Sequence, residues 1–473
     1  MTTILHNLGN IKEIFAKFSF LFFQQPIKGS TDIKQQDWIY RGEGNANLVI
    51  SLPNRRQILR IKKTQRKSRT TLIDWLVELI TDYLNQDLNE DIETATEESL
   101  DIKFYRNVMT PLMGCFVCDA TLIIINRRQT EDLNKALQQC RPNYRKHKKL
   151  KFGKATFLTD FAFLPKHLDS YGLIGATYSV EIKPKQGWIA NRNPLEKCKF
   201  CQNQYLKLSQ GQIKKISNYC PLDLFSGEKH RMIKSIKSLI TDPQNNFKIF
   251  RNGVQVYGEQ SNEDNLIDLL KDWLHHNKES SSNYNLMEEF LEIIYKTLIK
   301  SIDIKRSSCI FNSNRKEMDP NCGDLPEGCI LERILRVQKL DSMGISYYKE
   351  LKDRMKLGNK SNYVKTLLNE IERKKDFLCV NEEENGKDFN ELELTPYLIA
   401  SVANDCSFML TYRKMIDLKT SVTLDQRYIL ESSNGSYAVN VGVFDLYPKP
   451  ISTIDKHFKR MEELSKLSSQ IGM

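Results

Sequence analysis

The sequence predicts an α/β (α+β) fold in two lobes, a smaller N-terminal lobe with an antiparallel sheet and a larger, mixed C-terminal lobe. A chain of 473 residues is too long to be organised around one simple core. Short β-prone runs interrupted by Gly, Pro and Asn fill residues 37–61, whereas apolar residues recur at helical spacing between 226 and 298.

The N-terminal lobe is assigned to residues 39–158. It follows an extension, 1–38, that has no clear hydrophobic period and is expected to be poorly ordered. Strands are predicted at 38–40, 47–52 and 58–61, because turn residues separate these runs. A helix and a further strand complete the lobe. The helix is predicted from apolar residues at helical spacing, and the strand from residues 121–125. The helical positions are Leu72, Leu76, Leu79, Ile80 and Tyr83.

The C-terminal lobe is assigned to residues 159–473 and begins with a strand over 178–182, which three amphipathic helices follow. Polar or charged segments near 277–327 and 352–395 are expected to be loose insertions, the second one helical and solvated. Further strands are predicted at 397–410 and 437–446.

The chain carries 70 Lys and Arg against 59 Asp and Glu, a formal net charge of +11. Such a surface attracts polyanions, namely nucleic acid, an anionic membrane or a highly phosphorylated small molecule. No apolar run approaches the roughly 20 residues that span a bilayer. A monomer without membrane association, in the cytoplasm and/or the nucleus, is therefore expected.

The 11 cysteines mostly stand singly within apolar runs, which favours reduced thiols over a disulfide framework. Two Cys-x-x-Cys pairs occur, Cys115/Cys118 and Cys198/Cys201. They lie much farther apart than the two pairs of a zinc ribbon. Buried or surface thiols are therefore favoured over structural zinc.

A glycine-rich turn, Arg-Gly-Glu-Gly-Asn-Ala-Asn, occupies residues 41–47 between two predicted strands. It departs from the dinucleotide-binding fingerprint because Asn47 takes the third glycine position and a strand follows. Such a turn resembles the kinase loop whose backbone N–H groups cover nucleotide phosphates. The basic end of the next strand, Leu59 to Lys63, would add a cation. An ordinary hairpin turn and an exposed basic strand end are the alternatives.

The strongest local pattern is Glu-Ile-Lys-Pro-Lys at residues 181–185. On an extended chain, residues two apart share a face, so Glu181, Lys183 and Lys185 would project together. Two ammonium groups on one side repel each other unless an anion lies between them, and phosphate is the natural occupant. A solvated edge strand protected by lysines is the alternative.

These motifs belong to a longer series that resembles the inositol-pentakisphosphate 2-kinase family over about residues 37–460. Its N-terminal signature runs from Asp37 to Val49, and its Glu-x-Lys-Pro-Lys motif is the one at 181–185. So many unrelated motifs in one order make a specific match. The other matching segments are Asn107-Val108, Pro111-Leu112, Tyr219 to Gly227, Gln244 to Gly253, Gly328 to Asp341, Asn404 to Ser407 and Asp445 to Pro450.

The resemblance implies a two-lobed kinase that uses ATP and Mg²⁺. Asp405 would orient the accepting hydroxyl and take its proton, and Asp445 would hold Mg²⁺, a hard cation that prefers oxygen ligands. Lys248 stands where the family has an arginine on the ATP side. The implied ATP-binding residues are Gly44, Asn45, Asn47, Arg60, Thr159, Asp160, Phe161, Glu181 and Lys248, of which 159–161 would form the hinge beside adenine. The implied ligands of the substrate phosphates are Arg145, Lys183, Lys185, Lys207, Asn245 and Lys449.

Several positions depart from the family pattern and leave the outer substrate contacts open. Asn404 stands where the family often has Lys, and Gln202-Asn203 where many members carry Met-His. Thr453 and His457 stand where plant-like members place Arg and Tyr against the substrate. The plant-type His/Cys zinc knuckle is missing, so the resemblance is to animal-type members.

The reaction implied is transfer of the γ-phosphate of ATP to the 2-hydroxyl of inositol 1,3,4,5,6-pentakisphosphate, which gives inositol hexakisphosphate (phytate). A cationic cup for five phosphates would account for the net charge. The alternative is a non-enzymatic polyanion- or RNA-binding protein, against which stands the lack of RRM, KH or zinc-knuckle patterns, so nucleic acid is not expected as substrate. A pseudokinase scaffold would be expected to lose Asp405 or Asp445, and both are present.

Overall fold

The computed structural model describes residues 38–65, 99–190, 198–274, 283–302, 325–357, 362–374, 391–416, 424–433 and 435–471. Within these ranges two antiparallel sheets are accompanied by helices, so the predicted α+β, two-lobed fold is confirmed. The predicted helix over Leu72 to Tyr83 lies outside the described residues, as do nearly all of the N-terminal extension and most of 303–327.

The first sheet contains β1 (Ile39–Glu43), β2 (Asn47–Leu52), β3 (Gln57–Gln65), β4 (Thr121–Ile125) and β5 (Lys148–Thr159), in the order β1-β2-β3-β5-β4. Apolar residues two apart on a strand point to the same face of the sheet. Leu48 and Ile50 on β2 are fully buried, and so are Leu59 and Ile61 on β3. One small core therefore holds the predicted meander together.

The second sheet contains β6 (Leu173–Ile182), β7 (Phe247–Arg251), β8 (Val254–Tyr257), β9 (Ser407–Met415), β10 (Ile429–Ser432) and β11 (Gly435–Phe444), in the order β10-β11-β9-β6-β7-β8. The central strands are buried on both faces over their inner halves, 177–182 and 407–412. Ile182 pairs with Phe408, and Ser407 pairs with Phe444. The last residue of β6, the first residue of β9 and the last residue of β11 therefore lie side by side at one end of the strands.

Helices surround this sheet and supply most of the larger core. A π-helical turn, Tyr105–Met109, joins the first two of them into one continuous helix. Among the described helices, none is both long and apolar enough to cross a membrane. They are α1 (Leu100–Phe104), α2 (Thr110–Met113), α3 (Arg127–Ala136), α4 (Lys199–Ser209), α5 (Pro221–Leu224), α6 (Lys229–Thr241), α7 (Glu263–Leu274), α8 (Asn283–Leu298), α9 (Ile330–Gln338), α10 (Ile345–Arg354), α11 (Tyr363–Lys374), α12 (Thr395–Ala403) and α13 (Ser452–Ile471).

Two sequence-based predictions differ from the structure here. The strand predicted over 397–410 is wrong in its first half, which is α12, and β9 begins only at Ser407. The residues of α12 are almost all buried, and a short apolar run without a polar face has no period that separates helix from strand. In the segment 352–395 the predicted helix exists as α11, but its Leu367 and Leu368 are buried in the core rather than solvated.

Candidate active site

The Glu-x-Lys-Pro-Lys segment begins at the end of β6 and is fastened at each step beyond it. The N–H of Lys183 donates to the carbonyl of Asn246 at 2.9 Å, and the hydroxyl of Tyr219 donates to the carbonyl of Pro184 at 2.6 Å. The side-chain amide of Gln338 donates to the carbonyl of Lys185 at 2.9 Å. These bonds hold the backbone between the two lysines in one conformation.

The lysines are not presented as a continuous strand, although the sequence argument assumed an extended chain. β6 ends at Ile182, and Lys185 has φ 63°, in the left-handed region that side chains with a Cβ rarely adopt. Alternation therefore fails between Lys183 and Lys185. Glu181 remains in the strand and faces Lys248 of β7, with 3.6 Å between Oε2 and Nζ.

Two carboxylates lie close to these lysines, at the same end of the strands. Asp405 lies between α12 and β9, and Asp445 directly follows β11. The Nζ of Lys185 lies 3.3 Å from Oδ1 of Asp405, and the Nζ of Lys449 lies 2.8 Å from Oδ2 of the same residue. The Nζ of Lys183 lies 3.9 Å from Oδ2 of Asp445. We call this group of three lysines and two aspartates the lysine–aspartate cluster.

The charges of neighbouring side chains keep Asp405 and Lys183 ionised. Burial favours the neutral form of Asp405, but Lys185 and Lys449 outweigh it and hold the pKa of this carboxyl below its ordinary value. Burial likewise opposes the charge on Lys183, but Asp445 and Glu181 outweigh it and raise the pKa of its ammonium group. Asp405 and Lys183 are therefore both held in their charged forms.

The glycine-rich turn, 41–47, overlaps the end of β1 and the first residue of β2, so only residues 44–46 lie between the two strands. The N–H of Gly44 donates to the carbonyl of Asn47 at 2.9 Å, which closes the turn. The side-chain oxygen of Asn45 accepts from Lys148 at 2.7 Å. On β3, the guanidinium of Arg60 lies 3.2 Å from the ring centre of Tyr447, two residues after Asp445. Arg60 thus links the first sheet to the segment that carries the predicted metal ligand.

The predicted hinge, 159–161, begins at the last residue of β5. The carboxylate of Asp160 is buried, pairs with Arg41 at 2.5 Å and accepts a hydrogen bond from Ser51. The carbonyl of Asp160 accepts from Phe163 at 3.1 Å, and that of Phe161 accepts from Thr411. The Asp160 side chain therefore has partners within the fold, as have the carbonyls of residues 160 and 161.

Comparison with known proteins identifies the family. The family model of inositol-pentakisphosphate 2-kinase matches residues 40–463. The chain belongs to the inositol-pentakisphosphate 2-kinase family. It is 27% identical to the inositol-pentakisphosphate 2-kinase of Danio rerio, over 90% of this chain and 91% of that one. It is 28% identical to that of Arabidopsis thaliana, over 92% of both chains. The predicted resemblance and the assignment to the kinases are confirmed.

Against this family pattern, the remaining predicted substrate residues have different surroundings. Lys207 is half-buried on α4, and its pKa is lowered by burial and then by nearby Lys185, so it lies beside the lysine–aspartate cluster. Asn245 is exposed in the turn before β7, next to the residue that fixes Lys183. Arg145 ends a 3₁₀ turn before β5, and its contacts among the described residues lie in the first lobe.

Thr453 and His457, two of the positions that depart from the family pattern, point into the fold. Thr453 is 7% exposed. The Nδ1 of His457 lies 2.8 Å from the hydroxyl of Tyr397, and burial lowers the pKa of this imidazole to about 3, helped by Lys199 and Lys449. His457 is therefore a neutral, packed side chain on α13 rather than a cation offered to phosphates.

The structure also assembles a group of thiols that the sequence argument missed. The sulfur atoms of Cys198, Cys201 and Cys220 all lie within 4.8 Å of one another, without a fourth His, Cys, Asp or Glu at that distance in the described part of the chain. They amount to three of the four ligands of a tetrahedral zinc site. Only Cys198 and Cys201 have the spacing that a sequence search would find, because Cys220 joins them through the fold.

Proposed function

We propose that this chain transfers the γ-phosphoryl group of ATP to the 2-hydroxyl of inositol 1,3,4,5,6-pentakisphosphate. The observation that carries the proposal is the lysine–aspartate cluster, which combines a carboxylate for the hydroxyl with a group of cations for the phosphates. Family membership supports the same reaction. The RNA-binding alternative has no support among the relatives.

In the proposed reaction, the 2-hydroxyl oxygen forms a bond to the γ-phosphorus, and the bond from that phosphorus to the β–γ bridging oxygen breaks. ADP leaves with the bond's electrons, and the proton of the hydroxyl passes to Asp405. Phosphoryl transfer through a loose transition state needs little covalent assistance, so position and charge neutralisation carry most of the catalysis. Lys185 and Lys449 lower the pKa of Asp405 and so keep it ionised, which lets it orient the hydroxyl and accept its proton as transfer proceeds.

The cations have a second role in this proposal. Lys185 and Lys449 both pair with Asp405, whose single negative charge offsets only one of their two positive charges. Phosphate oxygens accept strong, charge-assisted hydrogen bonds from ammonium groups. Substrate phosphates would therefore compete for these lysines, and Lys183, Lys207 and Asn245 would extend the cup. Arg145 would reach the substrate from the first lobe.

Asp445 would hold Mg²⁺. Its carboxylate is 51% exposed, and its contacts, to Lys183 at 3.9 Å and to Ser407 at 3.5 Å, are long enough to leave oxygen lone pairs for a hard cation. When bound, Mg²⁺ would neutralise charge on the nucleotide phosphates. Arg60, Lys248 and the glycine-rich turn would contact the nucleotide. We further propose that the chain works as a monomer in the cytoplasm and/or the nucleus.

The test is conversion of inositol 1,3,4,5,6-pentakisphosphate by the purified chain with ATP and Mg²⁺, followed by anion-exchange separation of the products. Inositol hexakisphosphate should accumulate with an equal amount of ADP, and Asp405→Asn should abolish most of it. If neither this substrate nor any lower inositol phosphate is converted, the proposal is wrong.

A further inference from the structure

A buried carboxylate lies in the glycine-rich turn and takes no part in the proposed chemistry. The side chain of Glu43 is 1% exposed, and its partners Lys63 and Arg141 are 0% and 1% exposed. Arg141 is bidentate, because its Nε donates to Oε1 at 2.8 Å and its Nη2 donates to Oε2 at 2.9 Å. Lys63 donates to Oε2 as well.

Each of the two cations also holds a backbone carbonyl. The Nζ of Lys63 donates to the carbonyl of Gly44 at 2.5 Å, within the glycine-rich turn. The Nη2 of Arg141 donates to the carbonyl of Arg145 at 2.8 Å. One carboxylate is therefore connected on one side to the proposed phosphate-covering turn and on the other to the residue proposed to reach the substrate.

The charges favour a rigid connection. Burial opposes ionisation of Glu43, but hydrogen bonds from Arg141 and Lys63 outweigh it and lower the pKa of this carboxyl. A buried ion pair of this kind adds little net stability compared with apolar side chains of the same size. What it does supply is a fixed geometry, since each partner left alone would be a buried, uncompensated charge.

We propose that Glu43 is a positioning residue that sets the glycine-rich turn and Arg145 in one fixed relation. Lys63 is the arm toward the nucleotide, and Arg141 is the arm toward the inositol phosphate. The nucleotide and the substrate phosphates are thereby held in register across the first lobe. This inference rests on the proposed function.

The two arms make the test specific. Lys63→Met should raise the KM for ATP by about tenfold and change the KM for inositol pentakisphosphate little, because only the turn loses its support. Arg141→Lys should do the reverse, since lysine cannot bind Glu43 through two donors and hold Arg145 as well. Glu43→Gln, which keeps the size of the side chain, should raise both KM values. The control is Glu131→Gln, an exposed carboxylate on α3.

Thermal unfolding of each variant separates positioning from folding. A merely structural network would lower the melting temperature and leave the KM values of the folded enzyme unchanged. If Glu43→Gln does not fold, the two single-arm variants still give the KM comparison below their melting temperatures. Unchanged KM values, or equal rises for both substrates in both arm variants, would overturn this inference. An inactive wild-type enzyme would instead overturn the proposed function.

Discussion

Replacing Lys185 with alanine removes the cation that lies 3.3 Å from Asp405 and leaves Lys449 paired with this aspartate at 2.8 Å. If Lys185 binds a substrate phosphate, the loss is that of one charge-assisted contact, about 1.5–3 kcal/mol. Since a tenfold change corresponds to about 1.4 kcal/mol, the KM for inositol pentakisphosphate should rise by about tenfold to a hundredfold. The KM for ATP should change little.

Lys183→Ala completes a double-mutant cycle. Lys183 pairs with Asp445 and Lys185 with Asp405, so the two lysines share no ion pair, and neighbouring phosphates of one bound substrate would couple them directly. The effects of the two substitutions on KM should therefore be non-additive. Lys229→Ala is the matched control, because this exposed lysine pairs with Glu292 away from the cluster.

The assay is initial-rate kinetics at saturating ATP, accompanied by competition with RNA. A nucleic-acid surface would behave differently, because each lysine would contribute a small, additive loss and lower the salt slope by about one. Additive effects of Lys183→Ala and Lys185→Ala, together with displacement of inositol pentakisphosphate by RNA, would refute the reasoning.

Three further predictions concern other parts of the molecule. Asp405→Asn should lower kcat by roughly 10²-fold or more and leave nucleotide binding nearly intact. Asp445→Asn should lower kcat and also weaken Mg·ATP binding. Equal, small effects of the two substitutions on kinetics and on nucleotide titration would contradict these roles. His457 has a pKa of about 3 in the folded chain against 6.5 ordinarily. Between these values the unfolded state binds the extra proton, so the free energy of unfolding falls as the pH falls, by at most about 1.4 kcal/mol per pH unit. His457→Phe should remove this contribution in denaturant titrations from pH 7 to pH 4, and an unchanged dependence of stability on pH would contradict it. A Cβ at Gly442 would lie 2.0 Å from the Phe161 ring. Gly442→Ala should therefore lower the free energy of unfolding in urea by about 1–3 kcal/mol and, by displacing the proposed hinge, raise the KM for ATP. Wild-type values of both quantities would contradict the placement of Phe161 beside the nucleotide.

The lysines of the site were predicted from the Glu-x-Lys-Pro-Lys pattern, and the two aspartates from the resemblance to the family. The pattern predicted a phosphate between the two lysines, and the structure pairs Lys183 with Asp445 and Lys185 with Asp405. The pairing that brings the two carboxylates together depends on the register Ser407↔Phe444 between β9 and β11. That register joins positions 37 residues apart, and no local pattern encodes it. The composition of the cluster was therefore predictable, but its pairing was not.

The parts that could not be predicted depend on contacts between distant residues. Asp160 is predicted to contact the nucleotide as part of the hinge, and the partners of its carboxylate, Arg41 and Ser51, lie more than 100 positions earlier. Cys220 lies 19 positions after Cys201 and joins the Cys-x-x-Cys pair only through the fold. Glu43 was visible as part of the glycine-rich turn, yet its partner Arg141 lies 98 positions away. Local spacing carries no information about such partners.

The conformations of Lys185 and Asp445 connect the fold to the chemistry. Both are left-handed, with φ of 63° and 65°, a conformation that costs about 1–3 kcal/mol for a side chain with a Cβ. Gln338, fully buried at the end of α9, offsets this cost at Lys185 by donating to its carbonyl and by accepting from the N–H of Gly187 at 2.8 Å. The sharp turn aims Lys185 at Asp405 before any substrate arrives. Because the backbone of Lys185 is fixed, only its side chain has to turn from Asp405 to a substrate phosphate, and such preorganisation limits the reorganisation that catalysis requires. The strain held by the packed helix therefore serves the proposed phosphoryl transfer.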